Sequence, residues 1–295
     1  MKTICFTTMI AVTMLFCSNG IQAQTTQSQL KQACLDNTEQ FSITSKYVEG
    51  ETYVIQIGLP IGYSTSQKSY PVLYVTDGDV QFGMARGIAN EGWMRLGNDI
   101  KDIIVVGIGY GQGIDVLVKK RARDLAPSKD TTWVVGRKYT NAGGADNFLK
   151  FIQYELFPVV NKNYRITPDS VAIFGHSFGG LFAAYILFKQ PELFQGYIIS
   201  SPPVIWNNKS LLKLEAEYFS NHKELNKIVY LSIGSLEGKT PNNKDAMNLI
   251  NEFSQNIQAH NYKGLTLVTR IFEGETHSSV PPTVLNNGMR TLFKK

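Results

Sequence analysis

Gly175-His176-Ser177-Phe178-Gly179 spells G-x-S-x-G in a chain of 295 residues, the pattern of a serine presented for nucleophilic attack. A serine hydroxyl is a weak nucleophile at its free pKa. Such a site therefore needs a histidine base, a group that orients the base, and donors for an oxyanion. Ser177 is the candidate nucleophile, and there are 4 histidines to serve it. His176 adjoins the nucleophile on the same turn, which should aim its ring away from Oγ. His222 and His260 stand in polar helix or turn settings and read as surface residues. His277, in Gly274-Glu275-Thr276-His277-Ser278, follows the last expected strand, where a loop can swing it over the serine. It is the candidate base by position and by elimination. The acid belongs after the strand expected at 227–233. Glu237 stands closest to that strand's tip and is preferred; Asp245 comes slightly later, and a Ser–His dyad steadied by a backbone carbonyl is the third reading. One oxyanion donor should be the Phe178 backbone N–H. The other should be that of Gly78 or Asp79, in the turn after the strand at 71–75.

These residues need elements to position them. Val171 to Phe174 is a short apolar run of the buried-strand type, and Leu181 to Gln190 is rich in Ala and Leu up to Pro191, a helix pattern. Strand, sharp turn and helix are the context of a nucleophile elbow, where only glycine fits two residues either side of the strained serine. Alternation predicts an antiparallel hairpin from residues 41–48 and 52–59. Buried strands are expected at 71–75, 103–108, 196–200, 227–233 and 265–272. Helices are expected at 80–96, 146–161, 209–219, 245–258 and 285–293. Residues 109–130 read as irregular and charged, and 133–144 as a Gly-rich loop over the carboxyl ends of the strands. This alternation predicts an α/β fold: a mostly parallel central sheet with an antiparallel N-terminal hairpin and helices on both faces.

The first residues read as a leader. Lys2 precedes an apolar stretch from Ile4 to Phe16, and cleavage after Ala23 fits the small-residue rule. That stretch is too short to span a membrane. The expected organisation is a signal peptide at 1–23, a polar tether at 24–36 and one domain at 37–295, with the protein secreted or periplasmic. The net charge of +5 is mild and scattered, without the basic stripe that nucleic acid requires. Cys5 and Cys17 leave with the leader, so Cys34 has no partner and the fold needs no internal disulfide. No HExxH, CxxC or P-loop pattern occurs, and no metal or nucleotide cofactor is expected.

An ordered set of motifs resembles the Esterase D-like esterases of the α/β-hydrolase superfamily, whose branches include siderophore trilactone esterases and feruloyl-type esterases. The set runs from Leu59-Pro60 through Tyr70-Pro71-Val72-Leu73-Tyr74, Asp77-Gly78-Asp79, Arg121-Ala122-Arg123-Asp124 and Gly143-Gly144-Ala145-Asp146. It continues with Gly175 to Gly180, Ser201-Pro202 and Gly274 to His277, and so covers nearly all of the mature chain. The resemblance implies an α/β-hydrolase fold and carboxylic-ester hydrolysis, with Ser177 and His277 in the matching positions. Ser201-Pro202-Pro203-Val204-Ile205-Trp206 departs from the family's Ser-Pro-Ser with tandem aromatics; the resemblance sets this segment beside the pocket, so no single member's substrate is carried over. Trp93, Tyr110 and Trp206 are candidates for an acyl or aryl pocket, although aromatics equally fill cores. Arg121 and Arg123 are candidates to steer an acidic or catecholate ester, or to pair with Asp124. The function classes in play are an esterase acting on a small-molecule or polysaccharide-linked ester, an acyltransferase to a sugar or alcohol, and a binding protein on a hydrolase scaffold.

Overall fold

Tyr53, Ile55 and Ile57 are fully buried while Thr52, Val54 and Gln56 stay half-buried, and this alternation forms strand β2 (Thr52–Gly58), paired antiparallel with β1 (Thr38–Thr44). The structure, a computed structural model, describes residues 35–90, 100–134, 137–239 and 244–295. The expected leader, Cys34, Trp93 and all but the last two residues of the expected tether lie outside the described residues. β1 stops earlier than the sequence suggests. Ser45 Oγ accepts the Tyr47 and Val48 N–H groups at 3.0 Å each and turns the chain out of the strand.

The remaining elements are β3 (Tyr70–Val75), α1 (Gly78–Asn90), β4 (Ile104–Gly109), α2 (Ile114–Leu125), β5 (Asp130–Val134), β6 (Arg137–Tyr139), α3 (Ala145–Phe151), α4 (Phe157–Asn163), β7 (Ile166–His176), α5 (Phe178–Lys189), β8 (Gly196–Ser200), α6 (Trp206–Asn221), β9 (Ile228–Gly234), α7 (Ala246–His260), β10 (Thr266–Phe272) and α8 (Pro281–Leu292). Eight strands form one sheet in the order β1-β2-β4-β3-β7-β8-β9-β10. Pairing is antiparallel from β1 through β2 to β4 and parallel thereafter. The mostly parallel sheet with its antiparallel N-terminal hairpin is thus the expected one.

Successive strand residues point to opposite faces. Leu73, Val75, Val105 and Phe174 pack with Phe82 of α1 and with Leu285 and Met289 of α8. Val72, Tyr74, Val106 and Ile173 pack with residues of α2 through α7, among them Leu117, Phe148, Phe182, Leu211 and Phe253. Burial on both faces explains why these strands read as unbroken apolar runs.

Two expectations are corrected. Residues 114–125, expected to be irregular, form helix α2, and the short antiparallel pair β5–β6 overlaps the start of the segment expected as a Gly-rich loop. The helix expected at 146–161 runs from Ala145 to Asn163 with a π turn at Ile152–Leu156. Pro158 follows that turn; it lacks the N–H of a regular helix and crowds the carbonyl four residues back, which the wider turn relieves. Among the described residues no helix is long and apolar enough to cross a membrane.

Candidate active site

β7 delivers its last residues into a turn so tight that Ser177 adopts φ 60 and ψ −118. A Cβ on Gly175 would lie 2.0 Å from the Gly179 carbonyl oxygen, and one on Gly179 would lie 2.3 Å from Thr76 Oγ1. No side chain fits either place, which is the reason for the two glycines. The Ser177 N–H donates to the Ser200 carbonyl at 2.9 Å, pinning the turn to the end of β8. Arg121 reaches across from α2, donating to both Asp77 carboxylate oxygens at 2.9 Å and to the His176 carbonyl at 3.2 Å. It thereby ties the turn after β3 to the elbow.

Glu237 lies just beyond β9, buried, with its two oxygens fully engaged. Oε1 accepts from Gly234 N–H at 2.9 Å and Ser201 Oγ at 2.6 Å, and Oε2 meets His277 Nδ1 at 2.6 Å. Burial pushes the carboxyl pKa up. The bond and charge of His277, the Ser201 hydroxyl and the Gly234 N–H outweigh burial and leave it below its ordinary value. Gly234 has a second role, since a Cβ there would lie 2.4 Å from the Glu275 carbonyl oxygen. The loop carrying His277 can therefore pack directly on the tip of β9. Leu236 N–H donates to Glu275 O at 3.0 Å and fixes that contact.

Ser177, Glu237 and His277 line one small hollow of about 30 Å³, walled by Ser201, Pro203, Val204, Ile205 and Leu249. A larger groove of about 570 Å³, lined by Tyr74, Arg165 and Glu192 among others, lies toward the opposite ends of the strands and holds none of the three. Phe178 and Gly78 are the first residues of α5 and α1. The leading N–H groups of a helix have no acceptor within it, so both are free to face an oxyanion. The Asp79 carboxylate is occupied: it accepts the Tyr110 and Gly111 N–H groups at 2.7 Å each. Asp79 therefore has its backbone N–H to offer. Asp245 stands exposed at the head of α7, and the carboxylate that meets His277 Nδ1 is that of Glu237. Among the described residues no group of three or more His, Cys, Asp or Glu is placed to hold a metal ion.

Three expected pocket residues belong to the scaffold instead. Tyr110 is 4% exposed and donates to Asp124 at 2.9 Å; Arg123 is paired with Asp124 and Glu51; Trp206 is fully buried with its indole N–H on Ser128 at 3.2 Å. None of the three lines the hollow, and each has its polar atoms on a partner that does not line it either. The wall is formed by Ser201 to Ile205, in the segment that the resemblance sets beside the pocket. His222 is exposed, as expected. His260 is not a plain surface residue: it stacks on Phe219 and pairs with buried Glu215 at 2.7 Å.

The family model named Esterase matches residues 45–279. The ferri-bacillibactin esterase BesA of Bacillus subtilis (strain 168) is 32% identical over 250 residues, covering 82% of this chain and 85% of that protein. A siderophore triacetylfusarinine C esterase of Aspergillus fumigatus is 30% identical over 289 residues, covering 88% of this chain and 94% of its own length. The crystal structure of a BES protein from Bacillus cereus superposes with a TM-score of 0.80 at 35% identity, covering 91% of this chain and 100% of that one. Sheet order, helices on both faces and these similarities agree on an α/β-hydrolase fold and on ester hydrolysis. The chain belongs to the Esterase family, a group of carboxylic-ester hydrolases.

Proposed function

We propose that this chain is an exported serine esterase that opens ester bonds of siderophore-type substrates through an acyl-enzyme on Ser177. The observation that carries the reading is the 2.6 Å pair of buried Glu237 with His277, in the same hollow as a serine strained to φ 60. Glu237 accepts the Nδ1 proton and leaves Nε2 free as the base. His277 takes the Ser177 proton as Oγ attacks the ester carbonyl. The Phe178 N–H, with that of Gly78 or Asp79, receives the negative oxygen, each donor contributing roughly 10²–10³ in rate. Collapse breaks the ester C–O bond, and His277 returns the proton to the departing alcohol. Water then enters, loses its proton to His277 and releases the acid, restoring Ser177.

The substrate class rests on the relatives, two of which are named for siderophore esters. Export rests on the leader read at residues 1–23. The decisive experiment sets the full chain against ferric and iron-free siderophore lactones, acylated polysaccharides and simple aryl esters, with Ser177→Ala alongside. Turnover of the lactones should exceed that of the others. Ser177→Ala should remove turnover by several orders of magnitude while the fold survives. Added alcohols measure how much of the acyl group passes to acceptors other than water. Retained activity in a clean Ser177→Ala preparation overturns the mechanism.

A further inference from the structure

The neighbour of the nucleophile, His176, takes no part in that proton transfer, yet it is 8% exposed and its ring lies 4.5 Å from the ring of His277, tilted by 43°. Its Nδ1 is 3.0 Å from Ser200 Oγ, and Ser200 is the residue that faces it in the β7–β8 register. Ser200 is itself fully buried. We propose that His176 is a positioning residue for the base: braced from behind by Ser200, it holds the ring of His277 over Ser177. The inference rests on the reading of Ser177 and His277 given above.

Burial, the charge of His277 and the charge of Arg121 push the His176 pKa well below its ordinary value, so the ring is neutral and carries a single N–H. Against those three stands a hydrogen bond with the His277 backbone, which favours the protonated form. The geometry that fixes the ring is the 3.0 Å bond between Nδ1 and Ser200 Oγ on one side and the ring of His277 on the other.

Neutrality matters as much as shape. His277 becomes an imidazolium while the ester is attacked, and a second cation against its ring would oppose that step. The other charges around His176 are Arg121, whose Nη2 donates to the His176 carbonyl, and Asp77, which neutralises Arg121. Glu237 is engaged with the Nδ1 of His277. His176 therefore fills the space behind the base without adding charge.

The test compares His176→Ala, His176→Gln and Ser200→Ala with Ser177→Ala, reading kcat, KM, the rate of Ser177 labelling by a fluorophosphonate, and the urea midpoint. Misplacing a catalytic group by about 1 Å costs about 10²-fold. His176→Ala should lower kcat and the labelling rate by about that factor, with KM within about twofold. A glutamine amide can accept from Ser200 and keep a planar group against the His277 ring, so His176→Gln should recover about tenfold of the loss. Ser200→Ala should fall between the two. Wild-type kcat in His176→Ala beside an inactive Ser177→Ala overturns the positioning role alone. Losses that follow the urea midpoint, with no rescue by glutamine, also overturn it. Should His176→Ala not fold, His176→Gln and Ser200→Ala decide, wild-type kcat and labelling in both counting against the role. An active Ser177→Ala overturns the parent reading.

Discussion

Glu237 is a buried carboxylate, and its ionisation is maintained against burial by hydrogen bonds and the charge of His277. Gly234 N–H and Ser201 Oγ hold one oxygen, which leaves the other for His277 Nδ1. Ser201 sits at φ 47, a strained backbone for a residue with a Cβ, and this is the conformation that places its hydroxyl on Glu237. Glu237→Gln keeps the shape and removes the charge. An amide nitrogen facing Nδ1 would favour the tautomer that protonates Nε2, the wrong one for a base. The expected loss is roughly 10²–10⁴-fold in kcat with KM little changed, measured by steady-state turnover of an aryl ester. A loss of less than tenfold would mean that the carboxylate is dispensable and a backbone-held dyad suffices.

At the scale of elements, the elbow and helix α2 show two ways in which the sequence positions the site. The elbow depends on close backbone approach. A Cβ on Gly175 meets main chain, not a side chain that can swing away. Gly175→Ala should therefore cost roughly 3 kcal/mol or more by the urea midpoint, beyond an ordinary helix or strand glycine. α2 depends on charge. Arg123 spans buried Asp124 and Glu51, while Tyr53 and Tyr110 also donate to Asp124. Arg123→Met should cost about 3 kcal/mol of stability, because it leaves buried carboxylates short of a partner. Its KM should stay unchanged, since Arg123 is absent from the hollow; a KM rise confined to acidic esters would restore a substrate-steering role. These two elements also explain what was legible. The elbow announced itself through glycine spacing, and the central strands through apolar runs buried on both faces. Glu237 was recognisable from its distance past β9. Helix α2 was hidden because its buried positions include Asp124 and its inner side carries Arg121, so the apolar period that marks a helix was broken. The true places of Tyr110 and Trp206 depend on contacts between distant segments, which no local pattern encodes.

At the scale of the molecule, the site joins loops from the carboxyl ends of β3, β7, β8, β9 and β10, so its integrity follows that of the sheet. Two of its groups bind protons less readily in the fold than when exposed. The Glu237 pKa is lowered from 4.5, and the His176 pKa is pushed well below 6.5. For both, the unfolded chain takes up the proton first as pH falls. Their contribution to stability is complete above the unfolded value and is lost below it, beginning near pH 6.5 for His176 and near pH 4.5 for Glu237. Each such proton gives a slope of up to about 1.4 kcal/mol per pH unit. Urea midpoints taken from pH 8 downward should accordingly hold steady, then decline once the pH drops below about 6.5. His176→Gln removes the first of the two groups. Its midpoint should stay level to about pH 5 before declining, where the parent has already lost stability. A variant that begins to decline at the same pH as the parent would show that the buried imidazole is not the group being titrated.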